Sequence, residues 1–150
     1  MKNVRRETTI TKLHDRFVVL MNGDAAVSSF VYAHLEAPLT ASATDLGALA
    51  RSGLKGNRNL SKAEAVRFMN RAAANPLFAD FDEWDERYPS VCVIDTGNTM
   101  YELRAFVPTS SRPTILQVSS TMSDREFGEK IQKALTPARP AKKVPVRKKK

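Results

Sequence analysis

A chain of 150 residues, 42% of them hydrophobic, can bury one core without covalent staples and is too short for two full domains. No stretch approaches the roughly 20 apolar residues that span a bilayer, the basic start MKNVRRETTI has no apolar signal core behind it, and the single Cys92 excludes an internal disulfide, which together favour a cytoplasmic protein. The net charge of +8 belongs mostly to one end: residues 137–150 carry seven positive charges and no acid, which leaves residues 1–136 at about +1.

Thr8 and Thr9 precede Ile10, Leu13, Phe17, Leu20 and Met21, and these spacings of three and four place an apolar stripe along a helix that stops at Asn22-Gly23. The run RFVVLM also fits a strand, so helix is preferred over residues 8–22 without strand being excluded. Asp24 can cap a second helix, AAVSSFVYAHLEA, with Val27, Phe30, Val31, His34 and Leu35 on one face and Pro38 as its stop. A third helix, ATDLGALARS, starts at Ser42 or Thr44, turns Leu46, Leu49 and Ala50 inward, and ends at Gly53. After the loop GLKGNRN, Ser61 and Glu64 form a capping box, each side chain satisfying a free backbone N–H at the start of SKAEAVRFMNRAAAN. In that helix Ala65, Phe68, Met69, Ala72 and Ala73 cluster on one side, and Arg67, Asn70 and Arg71 project from the other.

Pro76 ends the fourth helix, and DFDEWDE then packs five acids into the seven residues from Asp80 to Glu86. Beyond Tyr88-Pro89 the pattern changes to strands over residues 90–94, 100–107 and, after Pro113, 114–118. Ser123 and Glu126 make a second capping box for DREFGEKIQKAL, in which Phe127, Ile131 and Leu135 recur every four residues. Residues 137–150 are too poor in apolar side chains to fold and read as a disordered Lys/Arg/Pro-rich tail. The expected fold class is α+β: N-terminal helices, a small antiparallel sheet made of a hairpin and a third strand, and a C-terminal helix, all in one domain over residues 1–136.

Asp95-Thr96-Gly97 follows the apolar run Val91-Cys92-Val93-Ile94, and the tripeptide resembles that of aspartic peptidases, in which two such loops pair their carboxylates over a shared proton. Such a subunit also needs a later apolar-apolar-Gly stretch, and the only glycine after Gly97 is Gly128, inside a helix pattern. Asp95 to Asn98 therefore reads as a hairpin turn, because Asp, Gly and Asn tolerate positive φ and bond to their own backbone, and Cys92 reads as a buried core thiol. His14 and His34 are the only histidines. His34 fits a hydrogen-bonded structural role, His14 a surface pair with Asp15, and no ligand spacing suggests a metal or another cofactor. The acidic run could hold a cation but fits a solvated face better, with Trp84 either turned inward or available for docking. Gly53-Leu54-Lys55-Gly56 resembles the loop with which KH modules clamp RNA, but Asn57 to Leu60 separate it from the next helix start.

The segment VYAHLEAPLTASATDLGALARSG…LSKAEAVRFMNRAA resembles the tri-helical part of a winged helix-turn-helix DNA-binding domain, over roughly residues 25–107, with the hairpin in the position of the wing. The resemblance implies that Arg67, Asn70 and Arg71 reach base edges in a major groove while Arg51, Lys55, Arg58 and Lys62 meet phosphates. The tail residues Arg139, Lys142, Lys143, Arg147, Lys148, Lys149 and Lys150 would add affinity through counterion release. The expected function is thus a non-enzymatic nucleic-acid-binding regulator or accessory factor, with DNA ahead of RNA as the ligand. The alternative is a protein-interaction or inhibitor module, of the kind mobile elements encode, that docks a basic partner through Asp82, Glu83, Trp84 and Asp85.

Overall fold

In the computed structural model, which describes residues 6–25, 28–56, 58–59, 61–108 and 112–136, the chain begins with strands and not with helices. β1 (Arg6–Lys12), β2 (Arg16–Ala25) and β3 (Ser28–Pro38) form an antiparallel meander. Then come α1 (Ala43–Lys55), the two-residue β4 (Arg58–Asn59), α2 (Lys62–Ala74), two 3-10 turns and the short α3 (Trp84–Arg87). β5 (Ser90–Asp95), β6 (Met100–Phe106), β7 (Thr114–Ser119) and α4 (Asp124–Leu135) complete the chain.

The expected helices-then-sheet order is therefore wrong, because both halves contribute to one sheet. β1 pairs with β5, so the strand order is β3-β2-β1-β5-β6-β7, antiparallel at every step, with β4 lying parallel to β2. The apolar stripe assigned to residues 8–22 belongs to two strands joined at a turn where the Leu13 N–H donates to the Arg16 carbonyl at 2.8 Å. Phe17, Val18, Val19 and Leu20 are all buried because the sheet is covered on both faces there. A strand buried on both sides reads as an unbroken apolar run and loses its alternation. The segment assigned to the second helix is β3, rich in the β-branched and aromatic residues Phe30, Val31 and Tyr32. The tri-helical unit of a winged helix needs a helix there, so that arrangement is absent from the described residues.

The remaining elements follow their local signals. α1 is capped by Ser42, whose hydroxyl accepts from the Asp45 N–H, and it runs through Gly53 to Lys55. Gly53 does not end it: it lies where a Cβ would overlap Thr8 Oγ1, at the point where α1 crosses β1. Both expected capping boxes are present, at Ser61/Glu64 and Ser123/Glu126. Phe127, Ile131 and Leu135 of α4 are buried with Leu46, Ala50 and Leu54 of α1 against Ile10, Val19, Val91, Val93 and Leu103 of the sheet. That helix-covered face holds the main core.

α2 lies alongside β3 and buries little. Of its five expected inward residues only Ala65 is buried, and Met69 is 53% exposed. The β5–β6 turn is the expected hairpin, with the Gly97 N–H donating to Asp95 Oδ1 at 2.9 Å and Gly97 at φ +86°. Asn in place of Asp keeps that acceptor, so Asp95→Asn is expected to cost about 1 kcal/mol or less in urea unfolding. No helix among the described residues is long and apolar enough to cross a membrane.

Candidate protein-binding surface

The sheet face opposite the helices is covered at β1 and β2 by residues 75–88, and the acidic run lies within that cover. Asn75 caps its first turn, accepting from the Leu77 N–H at 2.9 Å, and the chain then winds through Pro76–Phe78 and Phe81–Glu83 into α3. Leu77, Phe78, Trp84 and Tyr88 turn toward the sheet. Trp84, 3% exposed, packs on Leu13, Val18 and Leu20 with Leu77, Phe78 and Tyr88 around it. Its ring lies 4.9 Å from Phe81 and 5.6 Å from Phe78, centroid to centroid, and Phe78 meets His34 edge-on at 5.2 Å.

Trp84 is therefore removed from the set of docking residues. Its indole N–H donates to Asp80 Oδ1 at 3.2 Å, and Arg87 reaches Asp80 at 2.8 Å and Glu83 at 3.6 Å. These contacts use Asp80 to hold the segment in place. They leave Asp82, Glu83 and Glu86 exposed on the outside, and neither Asp82 nor Glu86 has an ion pair with another described residue. The position of Asp85 on α3 is defined by its backbone. Phe81, 38% exposed, is the aromatic that does reach the surface among these acids.

The basic residues do not form one patch. Arg51 is committed to the fold: it pairs with Asp124, donates to the carbonyls of Met122 at 2.6 Å and Ser120 at 3.1 Å, and lies 5.0 Å over the Phe127 ring. Its assignment to a phosphate is thereby withdrawn. Lys55 is exposed at the end of α1, and Lys62, Arg67, Asn70 and Arg71 are exposed on α2, with Arg71 at 5.2 Å over Phe68. Arg58 belongs to β4. Gly53-Leu54-Lys55-Gly56 is the end of α1 and not a loop, with Gly53 and Leu54 buried. Lys142, Lys143, Arg147, Lys148, Lys149 and Lys150 lie outside the described residues.

His34 projects from β3 beneath the acidic segment, its Nε2 2.8 Å from Glu36 Oε2, and Glu36 also takes Arg16 at 2.7 Å. The His34 hydrogen bond, with the Arg16 guanidinium beside it, holds the Glu36 carboxyl below its ordinary range. His14 and Asp15 are 3.9 Å apart at the exposed β1–β2 turn. Cys92 is only half-buried and lies on the face away from the helices, not in the core. Burial and then the Glu7 carboxylate, 3.7 Å from the sulfur, push its thiol up to about 11. A thiol so shifted holds little thiolate at pH 7. Iodoacetamide is expected to alkylate native Cys92 slowly, with a rate that climbs about tenfold per pH unit from 7 to 10; a plateau by pH 8.5 would contradict this.

No protein-family model matches the chain, and none of the curated proteins is similar to it in sequence. Among solved structures, the fold is similar to that of the protein of unknown function NMB0488 from Neisseria meningitidis. The TM-score is 0.62 at 12% identity, over 90% of this chain and 97% of that one. It is also similar to a chain of the CdiA-CT/CdiI toxin and immunity complex from Yersinia pseudotuberculosis, with a TM-score of 0.58 at 12% identity over 89% of this chain and 97% of that one. At such identities the likeness is one of fold: what the chain shares with both is its sheet-and-helix architecture.

Proposed function

We propose that this chain is a protein-interaction module of the inhibitor type, which docks a basic protein through the acidic segment over residues 80–86. The observation that carries the proposal is how this segment is built. A buried tryptophan and its aromatic neighbours fix the backbone to the sheet, while Asp82, Glu83 and Glu86 are exposed on that anchored segment. Charges on a fixed scaffold steer and select an oppositely charged partner at a smaller entropic cost than charges on a loose loop. The fold shared with a chain of a toxin and immunity complex supports the same reading.

The test uses the full chain and the nine-residue peptide (Gly-Arg)4-Gly as a basic probe, titrated by fluorescence anisotropy at low and at physiological salt. Binding is expected to weaken at least tenfold in Asp82→Asn/Glu83→Gln/Glu86→Gln and to weaken with salt. Equal binding by the wild type and the variant would contradict the proposal.

A second reading keeps nucleic acid as the ligand of α2, where Lys62, Arg67, Asn70 and Arg71 are exposed together and Lys55 stands at the end of α1. It calls for Arg67→Ala/Arg71→Ala to weaken binding of duplex DNA while the acidic-segment variant leaves it intact or strengthens it.

A further inference from the structure

A cleft of about 370 Å³ opens between the sheet and the acidic segment, lined by Thr9, Thr11, Leu20, Asn22, Phe81, Asp82 and Trp84. One wall is aromatic, Phe81 beside Trp84. Asp82, next to Phe81 in the same segment, lines the cleft without an ion pair to another described residue. Thr9, Thr11 and Leu20 face this side by strand alternation, since Thr8 and Ile10 turn toward the helices. Thr9 lies opposite Cys92 in the β1–β5 pair. Thr11 is 3% exposed, and no described group pairs with its hydroxyl, whereas the equally buried Thr8 donates to the Leu20 carbonyl at 2.7 Å. A buried hydroxyl left without a partner is costly unless something else satisfies it.

We infer that this cleft receives an arginine side chain of the basic partner. A guanidinium is planar and can lie against an aromatic wall, pair with a carboxylate at one edge and donate another N–H to a hydroxyl acceptor. The cleft offers all three, through Phe81, Asp82 and Thr11. An ammonium of equal charge can use the carboxylate but has no flat face to stack. The cleft therefore distinguishes arginine from lysine, which the acidic strip alone cannot do. The inference rests on the docking role proposed for that strip.

The test compares (Gly-Arg)4-Gly with (Gly-Lys)4-Gly, which has the same charge, on the full chain. The arginine peptide is expected to bind at least fivefold tighter and to shift the amide resonances of Thr9, Thr11 and Asn22 and the Trp84 indole resonance. Thr11→Val is expected to remove most of that preference by weakening the arginine peptide alone, while leaving the urea midpoint unchanged or higher. Neutralising Asp82, Glu83 and Glu86 is expected to weaken both peptides. Equal affinities, with no resonance shift at Thr11 or Trp84 and no effect of Thr11→Val, would overturn the arginine cleft and leave the acidic docking surface standing. Failure of both peptides to bind would overturn the two together.

Discussion

Gly128→Ala is expected to destabilise this protein by about 3 kcal/mol or more, although alanine is the better helix former by about 1 kcal/mol. A Cβ on Gly128 would overlap the Ala43 carbonyl, and one on Gly47 would overlap the Asp124 carbonyl. The two glycines let α1 and α4 meet backbone to backbone. The contacts pair 43 with 128 and 47 with 124, so the helices run in opposite directions, and Arg51 extends the junction to the carbonyls of Met122 and Ser120. The obstacle is main chain and not the movable end of a side chain. Relief would require the helices to separate and open the layer that buries Leu46, Phe127 and Ile131. Urea unfolding followed by circular dichroism measures the effect, with Lys130→Ala on the exposed side of α4 as a control expected within about 0.5 kcal/mol of wild type. A Gly128→Ala midpoint equal to the control's would mean that the helices do not touch as described.

Trp84→Ala is the second large loss, about 3 to 5 kcal/mol. Trp84 is the largest side chain of the smaller core, against Leu13, Val18 and Leu20, and its removal empties the space between the sheet and residues 75–88. Trp84→Phe should restore most of this and lose chiefly the hydrogen bond to Asp80, about 1 kcal/mol. Both variants are compared by circular dichroism, since Trp84 is the only tryptophan. The alanine variant should also weaken binding of a basic peptide although no acid has been removed, because the acids lose their platform. If stability falls and binding does not, the aromatic platform has no part in recognition.

How much of this was legible in the sequence depended on which signals are local. The capping boxes at Ser61 and Ser123, the Ser42 cap and the Asp95–Gly97 turn depend on a few adjacent residues, and each element they mark is present. β1 and β2 were missed because their burial comes from distant elements: α1 covers one face and residues 75–88 the other. With both sides buried, Phe17 to Leu20 lose the alternation that identifies a strand. A spacing of three and four residues can then be picked out of an apolar run by chance. The RFVVLM run and the β-branched and aromatic residues at 27–32 were the signals that favoured strand.

The basic residues of 51–71 were grouped by sequence, but the fold separates them. Arg51 is spent on the α1–α4 junction, a role visible only once Asp124 is placed beside it. The acidic strip was visible as composition. That Trp84 lies beneath it, and that Thr9 and Thr11 reach the same cleft, depends on a pairing of β1 with β2 that no local pattern announces. Gly47 and Gly128 carried a signal that could have been used: a glycine inside a well-capped amphipathic helix costs about 1 kcal/mol, so a close helix contact is the natural reason for it.

The docking surface we propose consists of the outward acids of residues 80–86. Its most direct test is the salt-dependent binding of (Gly-Arg)4-Gly to the full chain and to Asp82→Asn/Glu83→Gln/Glu86→Gln, with a fold check on each by circular dichroism. An unchanged fold is expected, with an affinity at least tenfold lower in the variant and a shallower salt dependence as the charge is removed. An unchanged fold with the same affinity and the same salt slope would contradict it and place recognition elsewhere on the molecule.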